Sequence, residues 1–163
     1  MPKNKNIKAI AVINSPKCSG TIKIKQWDCG VQFDVDLKNL KPGKHGFHIH
    51  EAGNLEEGCS SCCAHFNPLN KEHGGPYEMD GKERHLGDLG NIEADKNGNC
   101  KTIVKDKYLQ LSGYKYNIIG RSVVIHEKED DLGRGGNAES KKTGNAGARI
   151  GCGVIGYQEA YYF

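Results

Sequence analysis

Apolar and polar residues alternate along most of the chain. Ile22 and Ile24 alternate with Lys23 and Lys25, and Val31, Phe33, Val35 and Leu37 alternate with Gln32, Asp34 and Asp36. A period of two places the apolar set on one face of an extended chain, so the two runs read as adjacent half-buried strands. Further strands are expected over 7–13, 44–50, 121–126 and 149–157, giving about eight with turn residues between most of them. In NIEADKNGNCKTIV, Asn97-Gly98 stands between two such runs and predicts a tight hairpin, because these residue types accept positive φ. No long window repeats at the helical period. The pattern predicts an all-β fold, an antiparallel sandwich or barrel. Two stretches, 51–87 and 127–148, do not alternate and are rich in Gly, Asn, Glu and Lys. Loops this long in a compact domain carry function, so the chemistry is expected there.

Composition narrows the classes of function. A chain of 163 residues with 36% hydrophobic content is expected to form one compact domain with a real core. The formal charge is only +3 and no basic block occurs, which argues against a nucleic-acid partner. No apolar run approaches membrane-spanning length, and MPKNKNIKAIAVIN is charged and alternating where a secretion signal would be unbroken and apolar. These features, with the lack of an Asn-x-Ser/Thr acceptor, predict no membrane partner and a cytoplasmic location. The segment GCGVIG fits a dinucleotide-binding fingerprint, but the few residues after it leave no room for the helix that motif requires.

The hexapeptide HGFHIH places three of the seven histidines in six positions. On a strand His48 and His50 share one face, while His45 shares the other with Phe47. His45 is expected to be a hydrogen-bonded core residue. His65, His73 and His85 lie in the first long loop, with Asp88 three residues further on, and His126 ends the run GRSVVIHE. Six histidines and a carboxylate exceed the needs of one tetrahedral ion. Zinc takes about four N, O or S ligands and a redox copper favours several imidazoles, so two metals are the economical reading.

The segments GFHIHE, HFNPLNKEHGGP, RHLGDLGN, GRSVVIHEKEDDLGRGGN and KKTGNAGARIGCGVIG closely resemble the copper/zinc superoxide dismutases of cytosolic eukaryotic or virus-encoded type. They do so in the same order and across nearly the whole chain. The resemblance implies a single domain over 1–163, an eight-stranded antiparallel Greek-key β-barrel of immunoglobulin-like sandwich form with two long functional loops. This family is a standing example of that architecture. The implied activity is dismutation of superoxide to dioxygen and hydrogen peroxide. The implied cofactors are one copper, on His48, His50, His65 and His126, and one zinc, on His65, His73, His85 and Asp88, with His65 shared as the bridge. Asp130 is implied to join His48 to His73 and fix their tautomers. Arg149 matches the residue that positions the anion, and Lys128, Glu139, Lys142 and Thr143 match the channel rim. Cys59 and Cys152 match an intrasubunit disulfide. The family also implies a homodimer. The absence of proline between Arg149 and Cys152 resembles members that load copper unaided, which makes a copper chaperone an optional partner. A non-catalytic copper/zinc binding protein, a metal buffer or decoy, is the alternative. It would tend to lose Arg149 or the bridging histidine, and both are present.

Several positions depart from the family pattern. GCSSCCAHF adds Cys62 and Cys63 before His65, where relatives usually carry other residues. This leaves the partner of Cys152 open among Cys59, Cys62 and Cys63, and a C-x-x-C pair also admits a redox or metal role. The segment between His73 and His85 is longer than the common form. Ala138 replaces one of two rim acids, Ala52 stands where many relatives place an interfacial aromatic, and the chain ends in QEAYYF. Tyr157, Tyr161, Tyr162 and Phe163 are the candidates for rebuilding the dimer contact.

Overall fold

In the computed structural model the described residues are 6–76 and 83–162. Among them nine strands form two antiparallel sheets. They are β1 (Lys8–Ser15), β2 (Cys18–Trp27), β3 (Gly30–Lys38), β4 (Gly43–His50), β5 (Asp88–Ala94), β6 (Cys100–Asp106), β7 (Ser122–His126), β8 (Arg149–Val154) and the short β9 (Gly156–Tyr157). One sheet has the order β6-β3-β2-β1-β9 and the other β5-β4-β7-β8. The non-consecutive neighbours β3/β6 and β4/β7 are the crossovers of a Greek key. The alternating runs become strands as expected: Ile22 pairs with Val35 and Ile24 with Phe33, and all four are buried. Phe33 meets Phe47 of the opposite sheet edge-to-face, with ring centroids 5.9 Å apart. Burying such rings across the gap is what holds two sheets together, and truncating one to alanine costs about 3–5 kcal/mol.

Two expectations are corrected. A tight turn does form at Asn97-Gly98, with Gly98 at φ 81° and its N–H donating to the Asp95 carbonyl at 3.0 Å. It is not a hairpin, because β5 pairs with β4 and β6 with β3, so the turn carries the chain from one sheet to the other. Turn residues report the local bend and not the partners of the flanking strands. The run 149–157 breaks at Ile155, and its last part crosses to pair with β1.

Strand β4 explains the odd burial of the histidine pair. His45, Phe47 and Ile49 face the core, so His48 and His50 point outward, yet both are fully buried. The two long loops roof this outer face. A Cβ on Gly46 would lie 2.9 Å from the Ala146 side chain, so the second loop rests directly on the strand there. The first loop returns alongside β4, where Phe66 N–H donates to Ile49 O at 2.8 Å and Ile49 N–H to Gly87 O at 2.9 Å. A single 3-10 turn, Gly58–Cys62, is bonded to β8 by the disulfide Cys59–Cys152, which closes a sequence separation of 93 residues. This resolves the open partner of Cys152. In the chain-entropy view such a closure stabilises by about 4–5 kcal/mol. At the other end Tyr161 folds back on its own chain, its hydroxyl accepting from Lys8 N–H at 2.8 Å and donating to Asn6 O at 3.1 Å. Tyr157 packs against it in a tilted arrangement, with ring centroids 5.3 Å apart, and Tyr162 is exposed. Most of the lengthened segment after His73, at 77–82, and Phe163 lie outside the described residues.

Candidate metal centre

Strands deliver three of the imidazoles. His48 and His50 project from one face of β4, and His126 ends the neighbouring β7, with His48 paired to Val124 in register. His65 reaches the same spot from the first loop, bridged to His50. Its ring centroid lies 4.2 Å from that of His48, 4.8 Å from His50, 5.2 Å from His73, 5.2 Å from His85 and 6.1 Å from His126. It stands at the middle of the cluster.

Hydrogen bonds fix which nitrogen of each ring is free. A carboxylate or carbonyl oxygen can only accept, so a ring nitrogen bonded to one must carry the proton. Asp130 Oδ2 accepts from His48 Nε2 at 2.6 Å and Oδ1 from His73 Nε2 at 2.8 Å. The Cys63 carbonyl accepts from His50 Nδ1 at 2.9 Å and the Gly147 carbonyl from His126 Nδ1 at 3.0 Å. The opposite nitrogens, His48 Nδ1, His50 Nε2, His73 Nδ1 and His126 Nε2, are buried and have no hydrogen-bond partner among the described residues. Buried lone pairs without donors, as on the neutral rings of His48, His50 and His126, would be costly unless a cation accepts them. Ligand atoms of His48, His50, His65 and His126 lie within 4.8 Å of one another, a set of imidazoles that suits copper.

The second set gathers on Asp88. Its Oδ1 lies 2.8 Å from His65 Nδ1 and 3.2 Å from His85 Nδ1, and its Oδ2 lies 3.0 Å from His73 Nδ1. The last contact is short but not aligned as a hydrogen bond, the arrangement of two groups directed at a common third. His65 Nδ1 and His85 Nδ1 are themselves 3.2 Å apart. Atoms of His48 also come within 4.8 Å of His65, His73 and Asp88. Proximity alone does not divide the sets: His48 stands within reach of both, and His85 joins the loop side through Asp88 Oδ1 at 3.2 Å. Three nitrogens and a carboxylate oxygen are a donor set suited to zinc. His45 lies outside both sets, with its two ring nitrogens each 2.8 Å from a carbonyl oxygen, of His126 and Lys41.

The two sides differ in charge. Burial pushes His48 and His50 well below the usual imidazole range and His126 down to about 4, so these rings are neutral and ready to donate lone pairs. Burial also lowers His65, against the pull of its hydrogen bond to Asp88. At His73 burial is outweighed by Asp130 and Asp88, which raise it to about 9. Asp88 is held well below the carboxylate range despite its burial, because His65 and His85 bond to it and His73 stands beside it.

Three supports were not singled out from the sequence. Arg84 is buried, and its Nη1 donates to the carbonyls of His85, Leu86 and Asp88 at 3.1, 2.8 and 3.0 Å while Nη2 pairs with Asp106. One guanidinium thus shapes the turn that carries His85 and Asp88. Asn91 holds Asp130 by its backbone, accepting from the N–H at 2.8 Å and donating to the carbonyl at 2.9 Å. Gly144, at φ 72°, follows the single helical turn α1 (Ser140–Thr143), and a Cβ there would lie 2.0 Å from Asp130 Oδ1. A glycine closing a helical turn after Lys-Lys-Thr was the one visible signal of it.

An open cleft of about 1170 Å³ leads from solvent to His65 and His126. Arg149, Lys128, Glu139, Lys142 and Thr143 all line it, as does Ala138. Arg149 is half-buried and its Nη1 donates to the Cys59 carbonyl at 2.8 Å. Thr143 donates to Glu139 Oε1 at 2.7 Å.

Comparison with known proteins agrees with this geometry. Residues 18–155 match the family described as copper/zinc superoxide dismutase. The chain is 57% identical over 154 residues to a superoxide dismutase [Cu-Zn] of Paramecium bursaria Chlorella virus 1, an alignment covering 94% of this chain and 80% of that protein. It is 51% identical over 162 residues to an extracellular superoxide dismutase [Cu-Zn] of Drosophila melanogaster, covering 94% and 87%. It is 48% identical over 157 residues to superoxide dismutase [Cu-Zn] 3 of Arabidopsis thaliana, covering 95% and 93%. The second of these corrects the expectation of a cytoplasmic chain. Mild charge and the lack of a long apolar run are properties of the barrel, and a barrel of this sequence type also occurs in a protein named extracellular. Among the described residues no helix is long and apolar enough to cross a membrane. A match over most of the barrel, joined to a buried cluster of imidazoles and a carboxylate able to hold metal, means that the chain belongs to the copper/zinc superoxide dismutase family.

Proposed function

We propose that the histidine cluster is the centre at which this chain converts two superoxide anions and two protons into dioxygen and hydrogen peroxide. His48, His50, His65 and His126 would hold copper, and His65, His73, His85 and Asp88 would hold zinc. The observation that carries this reading is the set of buried, unpartnered ring nitrogens facing one another across His65. When bound, copper supplies a one-electron couple and zinc a fixed positive charge without redox chemistry. His65 is the proton carrier: with Nδ1 turned to Asp88 at 2.8 Å, only Nε2 is left to take up a proton and return it as peroxide forms. Asp130 keeps the rings of His48 and His73 from turning, and so keeps both sides in register.

Arg149 positions the anion at the floor of the cleft, and Lys128 and Lys142 draw it in, with Glu139 and Thr143 shaping the rim. Superoxide dismutase is a known case of electrostatic steering, so this is behaviour of the family carried to these residues. Activity is expected to fall as salt is added, and a flat profile would remove the steering role. The exposed apolar side chains of Val12, Val154 and Tyr157 support a homodimer through the outer faces of β1, β8 and β9. Copper loading without a dedicated chaperone is part of the same reading.

The test is metal analysis joined to a superoxide-removal assay on the purified chain and on His65→Ala. Bound copper and zinc with rapid removal are expected for the chain, and a loss of about 100-fold or more for the variant, the range of a lost acid–base group. Full metal binding without removal would favour the metal buffer.

A further inference from the structure

The thiols of Cys62 and Cys63 take no part in the centre described above, where Cys63 enters only through its carbonyl, yet they flank the disulfide that anchors the first loop. Cys59 and Cys62 sit on the 3-10 turn Gly58–Cys62. Such a helix has about three residues per turn, so positions i and i+3 stack one above the other. Cys62 therefore stands one turn from Cys59 on the same side. It is a free, buried thiol with Sγ 3.7 Å from the Asn54 carbonyl oxygen, whereas Cys63 is exposed with Sγ near the Ser61 carbonyl. The turn lies outside the strand ladders and is held mainly by serine hydroxyls, Ser60 Oγ donating to Glu57 O at 2.7 Å and Ser61 Oγ accepting from Glu57 N–H at 3.1 Å. It has no side-chain cap at Glu57, and it ends on Cys63 at φ 64° and ψ −152°, a combination adopted essentially by glycine. A single uncapped turn held in this way opens more readily than the strands beneath it.

We infer that Cys62 is an exchange partner for the disulfide, so that Cys59 moves between Cys152 and Cys62. The Cys62 thiolate attacks Cys59 Sγ, the bond between Cys59 and Cys152 breaks, and its electron pair leaves on Cys152, which takes the proton that Cys62 gave up. A new Cys59–Cys62 bond forms. One disulfide and one thiol stand on each side, so no oxidant or reductant is consumed.

The exchange reaches the cleft through the backbone. Arg149 Nη1 donates to the Cys59 carbonyl at 2.8 Å and approaches that of Ser60 at 3.5 Å, while Arg149 and Cys152 share strand β8. Releasing Cys152 frees the turn from β8 and with it the two carbonyls that hold the guanidinium. This effect on turnover rests on the role proposed for Arg149; the exchange itself does not.

The test is non-reducing peptide mapping of the metal-loaded full chain after equilibration across graded ratios of reduced to oxidised glutathione, acid quenching and alkylation. The expected result is a population with Cys59 joined to Cys62 and Cys152 alkylated, absent in Cys62→Ser and retained in Cys63→Ser. An adjacent thiol acts at high effective concentration, so alkylation of Cys152 in Cys62→Ser should slow by about tenfold or more. Passage of the unaltered chain straight from Cys59–Cys152 to full alkylation, or a new bond to Cys63, would overturn the inference. Activity read on the same samples should fall in step with alkylation of Cys152 while copper and zinc are retained. Unchanged activity beside a clear Cys59–Cys62 bond would leave the exchange standing and remove the role given to Arg149.

Discussion

The two halves of the centre are built differently although they share a ring. On the strand side, His48, His50 and His126 project from β4 and β7, whose own ladders fix where the side chains point. Each ring there is steadied by one hydrogen bond and is neutral through burial. On the loop side, Asp88 opens β5 opposite His48, but His73 and His85 come from the first loop, where no ladder dictates their positions. They are held by added clamps: Arg84 on the turn, Asp130 on His73, and Gly144 where the second loop crosses. The sheet sets its ligands with backbone ladders, two carbonyls and one shared carboxylate, whereas the loop adds a buried guanidinium and a glycine to reach the same precision.

Removing the loop's principal clamp is the largest perturbation. Arg84→Ala leaves Asp106 buried and unpaired and three carbonyls without their donor. A loss of about 3–5 kcal/mol is expected from breaking a buried pair, measured by denaturant unfolding. Zinc should be released before copper. Copper leaving first would reverse the assignment of Arg84 to the loop side.

Gly144→Ala is a finer cut, because it drives a methyl group against Asp130 and His73 Nε2 while leaving every ligand residue unaltered. Zinc affinity should fall about 10–100-fold in a chelator competition, the usual penalty for disturbing a ligand's hydrogen-bond partner. Copper affinity should change less, since His48 keeps its place on β4. Equal losses would mean that Asp130 supports both sides alike.

The smallest effect separates the sides by pH in metal-free protein. His126 titrates near 4 in the fold and His48, His50 and His65 are also lowered, so the unfolded chain binds protons first. Their contribution is lost as pH falls from about 6.5 toward 4. His73 is raised to about 9, so the folded chain holds its proton more tightly, and that contribution is lost as pH rises from about 6.5 through 9. Thermal unfolding should show greatest stability near neutral pH, with the acid limb flattened by His126→Gln and the alkaline limb by His73→Gln.

The same contrast decides what could be read from the sequence. Alternation in HGFHIH set His48 and His50 together and His45 apart, because period two is a local property of the backbone. The disulfide and the loop ligands were legible only through family resemblance, since no period relates His65, His73 and His85 to β4. The turn at Asn97-Gly98 was visible but its topology was not, since pairing of β5 with β4 and β6 with β3 depends on distant residues. Arg84 reads as an ordinary surface charge until three carbonyls and Asp106 are seen around it.

Everything turns on one imidazole serving both halves. Diffraction from crystals of fully loaded protein, with anomalous signals collected for each metal, measures this directly. Bonds of about 2.0–2.1 Å to the two nitrogens of His65 would place copper and zinc roughly 6 Å apart with the ring between them. Ions much further apart, or one of them bound without His65, would contradict the account.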